Sequence, residues 1–286
     1  MKPLLLIPPA PARWPALHDL FSHKGPPWTT DIEGRFVTGV AGAQDVYAVL
    51  SEAGRFMAGA CINKCGDVGV LVHCFTRPER RWRGYARRLI EALLAWFDMR
   101  GGRWLMLTTT GDWAETVYAK FGFCELRRLA WQPRERVTML RTRPGVGDEP
   151  YAEVAGDVSV RDVARAEWPA LAMLLQFQPG PDPRVSIAES GVVAELFTLD
   201  LLDHQDRGKC RLLGAFRGAR LMGLASLATD AEGPRTYSML MPHAGAPAEL
   251  RDAVCAAARE RGYANVAFPM EALAAAPVAA LEDAPR

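Results

Sequence analysis

The stretch from Val68 to Thr108 constrains the fold most, because its periodicity changes twice. Val68 to Thr76 is an apolar run with a polar exit and reads as a buried strand, and Pro78 stops further ladder pairing. A basic turn follows, Arg81-Trp82-Arg83-Gly84-Tyr85-Ala86. Leu89, Ile90, Leu93, Leu94 and Phe97 then fall on one helical stripe, with Arg87, Arg88, Glu91 and Arg100 on the opposite face. Gly101-Gly102 ends that helix, and Trp104 to Thr108 reads as the next strand. Strand, glycine-containing turn, helix and strand predict a mixed α/β chain of α+β type. Such a turn aims successive N–H groups outward at a helix N-terminus, where the dipole favours an anion. Gly84 and Ala86 lack bulk, so a pyrophosphate can approach the main chain, and Arg80, Arg81, Arg83, Arg87 and Arg88 add positive charge.

At 286 residues the chain is long for one domain and comfortable for two. Its 49% hydrophobic and 23% charged residues predict a packed globular protein. A net charge of +1 implies no global pull toward nucleic acid or an anionic membrane. The six cysteines (Cys61, Cys65, Cys74, Cys124, Cys210 and Cys255) are scattered. Cys61 and Cys65 lack a second pair at zinc-site spacing, so no metal is expected. Free thiols, a short N-terminal apolar run cut by Pro8-Pro9, and no long apolar stretch all point to the cytoplasm, with no membrane contact.

Two segments recur. Arg13-Trp14-Pro15-Ala16-Leu17 returns 154 positions later as Glu167-Trp168-Pro169-Ala170-Leu171. Arg55-Phe56-Met57-Ala58-Gly59-Ala60 pairs with Arg220-Leu221-Met222-Gly223-Leu224-Ala225 at an offset of 165. Each half also holds two short apolar runs that read as a β-hairpin: Val46 to Leu50 with Phe56 to Ile62, and Leu212 to Phe216 with Leu221 to Leu227. These echoes predict a tandem duplication jointed near Arg143 to Pro150, where turn-formers and charge concentrate. The expected division is 1–145, 150–272 and a loose Ala/Pro-rich tail over 273–286.

Pro78-Glu79-Arg80-Arg81-Trp82-Arg83-Gly84-Tyr85-Ala86 resembles motif A of the GNAT superfamily of N-acetyltransferases, whose core reads Arg/Gln-x-x-Gly-x-Gly/Ala. Arg81, Gly84 and Ala86 carry the match. Trp82 departs from it, standing where the family commonly has glycine. Further on, Trp113 to Phe123 is similar to motif B, a short helix ending in Tyr-x-x-x-Gly-Phe. The resemblance covers roughly residues 36–130. It implies two GNAT-like domains, each a central, mostly antiparallel sheet flanked by helices, and transfer of an acetyl or short acyl group from acetyl-CoA to an amine. It places the cofactor at Arg81, Trp82, Arg83, Gly84, Tyr85, Ala86 and Arg87. By the same resemblance the strands at 68–76 and 104–108 splay, and backbone groups of Cys74 and Thr76 hold the pantetheine arm.

Tyr118 matches the family tyrosine that protonates the leaving thiolate, and a phenol with a pKa of about 10 is a suitable donor to a thiol of about 8.5. As a residue of an amphipathic helix it also reads as core, on one stripe with Ala114, Val117 and Phe121. His73, on the strand lining the cleft, has the pKa range of a base for an ammonium, though a strand histidine is as readily structural. Asp112 and Glu115 are lesser candidates, and Thr108-Thr109-Thr110 could offer hydroxyls. Neither Cys74 nor Cys124 stands in a recognisable activated-thiol setting.

The second half repeats the strand (Arg235 to Pro242), turn (His243 to Ala248) and helix (Leu250 to Arg261). Its turn is shorter and holds no arginine, and no Tyr-x-x-x-Gly-Phe follows at Tyr263 to Met270. That half is expected to keep the fold without the cofactor site, and its Gln178 to Arg184 loop could reach over the first half's cleft. Two rival readings stand beside the enzyme. One is a non-catalytic acyl-CoA or acyl-thioester sensor. The other is an RNA-binding protein with a basic face of Arg127, Arg128, Arg134, Arg136, Arg141 and Arg143, which would need interleaved aromatics that Trp131 alone hardly supplies. The acceptor, a small-molecule or peptide amine, stays open, as does a homodimer.

Overall fold

A computed structural model describes residues 2–26, 28–131, 134–147, 150–151, 156–177, 194–228, 236–240 and 248–260. By contact the chain forms two units. The first takes in Met1–Pro150 together with Arg165–Met173 and Pro183–Leu196, and the second takes the remainder.

The first unit runs β1 (Leu4–Leu6), α1 (Trp14–Phe21), α2 (Trp28–Val37), β2 (Gln44–Glu52), β3 (Arg55–Cys65), β4 (Val68–Thr76), α3 (Tyr85–Met99), β5 (Trp104–Thr109), α4 (Asp112–Ala119), β6 (Phe123–Trp131) and β7 (Arg134–Thr142). The strands form one seven-stranded sheet in the order β1-β2-β3-β4-β5-β7-β6. Every pairing is antiparallel except β4 with β5. The mixed, mostly antiparallel sheet flanked by helices is what the motif pattern predicts. Strand β4 has the predicted ends, and the first predicted hairpin extends to β2 and β3, closed by Ala53-Gly54 with both residues at positive φ.

The sheet is covered on both faces, so its central strands carry long apolar runs rather than a strict alternation. Val46, Ala48 and Leu50 of β2 face the α3 stripe of Leu89, Ile90, Leu93, Leu94 and Phe97. Tyr47 and Val49 face Leu17, Leu20 and Phe21 of α1 and Ile32 and Phe36 of α2. Period two in the strand and period 3.6 in the helices thus partition one sequence between two cores. Gly59 permits the close approach of α1, since a Cβ there would meet Leu20 and Phe21 at 2.8 Å. Sequence periodicity did not expose β7, which inserts between β5 and β6 and so is out of sequence order.

One charged group is sealed into the second of these cores. Arg35 is 1% exposed. Its Nε donates to Asp31 one turn earlier at 2.7 Å, and its Nη1 bonds Asp45 of β2. Asn63 of β3 donates to the other Asp45 oxygen at 2.6 Å, and Arg165 reaches Asp31 at 3.4 Å. The Trp168 ring lies over the guanidinium, 5.9 Å from its centroid. The carboxylates hold the Arg35 pKa above its ordinary value despite burial.

The second unit holds β8 (Val158–Asp162), β9 (Cys210–Arg217), β10 (Arg220–Ala228), β11 (Thr236–Leu240), α7 (Ala248–Glu260) and, from Phe197 on, α6 (Ala194–Asp206), which α5 (Trp168–Gln176) precedes in the chain. Its antiparallel sheet runs β11-β10-β9-β8, with α7 seated on it through Leu250, Val254, Ala257 and Ala258. Among the described residues, strand, two helices, three strands and helix therefore occur twice along the chain in the same order. In both places a short 3-10 turn (Pro11–Arg13 and Arg165–Glu167) precedes a helix that begins Trp-Pro. The predicted turn at 243–248, apart from Ala248, and the loop at 178–184, the sequence at 263–270 and the tail lie outside the described residues. Among the described residues no helix is long and apolar enough to cross a membrane.

Removing one partner of a buried ion pair strands the other without water. Arg35→Leu is therefore expected to lower the unfolding free energy by about 3–5 kcal/mol in urea denaturation. Adding Asp31→Asn and Asp45→Asn to that variant should recover part of the loss. An unchanged unfolding midpoint in the single variant would contradict this account.

Candidate active site

The basic turn is held from below. Arg77, at the end of β4, donates through Nε to the Phe56 carbonyl at 2.9 Å and through Nη2 to Asp19 at 2.6 Å. A 3-10 turn, Pro78–Arg80, follows, and α3 starts at Tyr85. Between them Trp82 has φ 65 and Gly84 has φ 73. These two left-handed residues fold the chain so that N–H groups turn outward. Among the described residues, the N–H groups of Trp82, Arg83, Gly84, Tyr85, Ala86 and Arg87 reach no main-chain acceptor. Those from Gly84 to Arg87 are the four donors that a helix start leaves unmatched. A Cβ built on Gly84 meets nothing within 4 Å, so the face over them is open.

The arginines divide. Arg80 donates to Glu52 at 2.6 Å, and the Tyr85 hydroxyl donates to the same carboxylate. Those bonds hold the Glu52 carboxyl below its ordinary pKa. The side chains of Tyr85 and Arg80 thus brace the turn against β2. Nothing in the sequence around Glu52 signals this role, because its partners are 28 and 33 positions away. Arg87 pairs with Glu91 at 2.8 Å on the exposed helix face, and Arg81 donates to the Thr76 carbonyl at 3.3 Å.

Beside the turn the sheet opens. The parallel ladder of β4 and β5 has three pairs and ends at Val70↔Met106. Beyond it β5 stays with β7 as far as Thr109↔Val137, and β4 stays with β3 as far as Thr76↔Ala58. The β3–β4 register slips between Cys61↔Val72 and Gly59↔Phe75, so His73 and Cys74 together oppose Ala60. This is a β-bulge, with His73 at φ 58. The two strands lean on different neighbours and part, as the motif resemblance implies.

Within the bulge, the neighbouring side chains of His73 and Cys74 face opposite sides of the sheet. Cys74 packs on the α3 side, against the same cluster as Tyr118. Burial, then Cys74, pushes the Tyr118 phenol well above 10. Its ring also meets Phe123 edge-on at 5.9 Å. Tyr118 packs against the core on the α3 side, the position that its helical stripe predicts. His73 lies on the other face, against Phe21 at 5.8 Å and Trp28 at 5.1 Å between ring centroids. Burial first, then the charges of Lys24, Arg35 and His23, push its pKa well below 6.5. The structure thus brings Tyr118 to Cys74 and separates both from His73 by the thickness of the strand.

Several lesser candidates are occupied. The Thr108 hydroxyl is 3.4 Å from that of Thr138 across β5 and β7. Glu115 binds Arg128 at 2.8 Å. The supposed basic face is also broken up: Arg128 meets Glu125 and Glu135 as well, and Arg141, buried, grips Asp98 through both Nη atoms at 2.8 and 2.7 Å. The side chains of Asp112, Trp131 and Arg134 lie outside the description.

Solved structures similar to part of the chain include an acetyltransferase from Bacillus cereus ATCC 14579, 14% identical, covering 43% of this chain and 89% of its own, with a TM-score of 0.34. An aminoglycoside 6'-N-acetyltransferase complexed with coenzyme A is 16% identical over 50% of this chain and 99% of its own, with a TM-score of 0.42. The ribosomal-protein-S18-alanine N-acetyltransferase from Escherichia coli is 18% identical over 52% and 99%, with a TM-score of 0.42. No curated protein matches the sequence. The region from the start of α1 to the first residue of β6, residues 14–123, matches the acetyltransferase (GNAT) family, and it contains both the basic turn and the cleft.

Proposed function

We propose that the first unit is an N-acyltransferase that takes acetyl-CoA or a short acyl-CoA and transfers the acyl group to an amine by direct attack. The observation that carries this reading is the open row of N–H groups from Trp82 to Arg87 beside a cleft between β4 and β5. Phosphates fit that row, since the helix dipole, Arg81 and Arg83 all favour an anion there and Gly84 leaves the approach clear. Main-chain groups of Cys74 and Thr76 would hold the pantetheine arm, although the Thr76 carbonyl already accepts one bond from Arg81.

Acyl-CoA supplies an already activated carbonyl, so the protein's task is orientation and two protons. A C–N bond forms as the C–S bond breaks. Tyr118 holds a proton at its hydroxyl, in the cleft, for the departing sulfur, and recovers one from water afterwards. With its pKa raised, it stays protonated through neutral pH. His73 is our candidate to take the ammonium proton, directly or through water, from the α1–α2 face of β4. Its depressed pKa keeps it neutral and able to accept at pH 7.

We further infer that residues 150–272 are a duplicated copy that lost its cofactor turn. The repeated order of elements and the repeated Trp-Pro helix starts support this. The sensor reading would keep the same cleft without turnover, and an assay over monoamines, amino acids, polyamines and peptide N termini separates the two.

In calorimetry one acetyl-CoA site per chain is expected. Gly84→Glu should weaken it by about 100-fold, the loss of two charge-assisted bonds; undiminished affinity in the folded variant would refute the turn as the site. Tyr118→Phe should lower kcat at least about tenfold with KM for acetyl-CoA changed less than about twofold, and equal kcat would remove the tyrosine from the reaction. For His73 the sign is set by its depressed pKa: the wild-type rate should hold as pH falls to 6.5 and drop only below it, as the imidazole protonates. His73→Gln should slow the reaction and erase that acid limb, and a variant retaining the limb would exclude His73 as the base.

A further inference from the structure

Trp82 combines two unfavourable features. It occupies the left-handed region at φ 65, where a Cβ crowds the next carbonyl, and its side chain is 93% exposed. The family motif commonly has glycine at this position, which would remove both. Trp113, at the start of α4, is 68% exposed, and its ring centroid lies 6.4 Å from that of Trp82. Gly111 lets the Trp113 indole fold back, since a Cβ there would stand 3.3 Å from its Nε1. The two indoles come from the turn and from the segment after β5, the two elements that border the cleft. Exposed aromatic surface of this kind, continuous with a row of free N–H groups and exposed arginines, suits a ligand that is flat at one end and polyanionic beside it.

We infer that the Trp82 indole, backed by Trp113, is a stacking platform for the adenine ring of the coenzyme whose phosphates the turn holds. This rests on the acyl-CoA reading and adds to it a residue that selects the nucleotide end of the cofactor. The platform explains why a tryptophan is kept in a conformation that glycine would adopt with less strain.

The test is Trp82→Gly and Trp82→Phe in the full chain, titrated calorimetrically with coenzyme A and with 4′-phosphopantetheine, which lacks the adenosine. Trp82→Gly is expected to lower coenzyme A affinity about tenfold or more, the typical range for one stacked base. It should leave phosphopantetheine affinity unchanged and hold or raise Tm, because the turn relaxes. Trp82→Phe should retain most of the coenzyme A affinity, and coenzyme A should quench the wild-type tryptophan fluorescence. Equal or tighter coenzyme A binding by Trp82→Gly would overturn the platform while leaving the acyltransferase reading intact. So would a matched loss of both ligands, or self-association of the wild type that Trp82→Gly abolishes. A wild type that binds neither ligand overturns both.

Discussion

The parallel ladder between β4 and β5 is only three residue pairs long, and the candidate site depends on where it stops. If pairing continued, the sheet would be closed and the region near Tyr118 would be plain core. Past that point each strand keeps only its antiparallel neighbour, β3 on one side and β7 on the other. The bulge at His73 and Cys74 adds the local twist that carries β4 away. A gap in a sheet leaves main-chain groups without ladder partners, and such groups are stable only where water or a ligand can reach them.

The same bulge assigns the chemistry to faces. Regular alternation already puts His73 and Cys74 on opposite sides, and the extra residue re-aims both relative to Ala60. Cys74 thus meets Tyr118 on the α3 side, whereas His73 is enclosed by Phe21 and Trp28. The electrostatics follow from enclosure. Burial opposes charge on either group, so the phenol is held protonated and the imidazole neutral.

The turn is strained locally and restrained from several sides. Left-handed residues at 82 and 84 are tolerated because Arg77 ties the end of β4 to Asp19 and the Phe56 carbonyl, and Glu52 ties Arg80 and Tyr85 to β2. Exposed pairs such as Arg87 with Glu91 add little by comparison. The stiff part of the site is thus the part that must present several N–H groups at once.

Local sequence determined the elements whose information lies within a few residues. The α3 stripe, the apolar run of β4, the glycine turn and the first hairpin are written in periods of 3.6 and 2 and in conformations that favour glycine, and they appear where the pattern puts them. The basic turn was legible for the same reason, since outward N–H groups and nearby arginines are local properties. The tertiary structure decided what depends on partners far along the chain. It set β7 between β5 and β6, ended the β4–β5 ladder, and gave Arg80 and Tyr85 to Glu52. It also tied Arg128 and Arg141 into carboxylates and put His73 and Tyr118 on different faces of one strand. Those outcomes follow from competition among neighbours for hydrogen bonds and buried area, and a single strand's sequence does not reveal which neighbour wins.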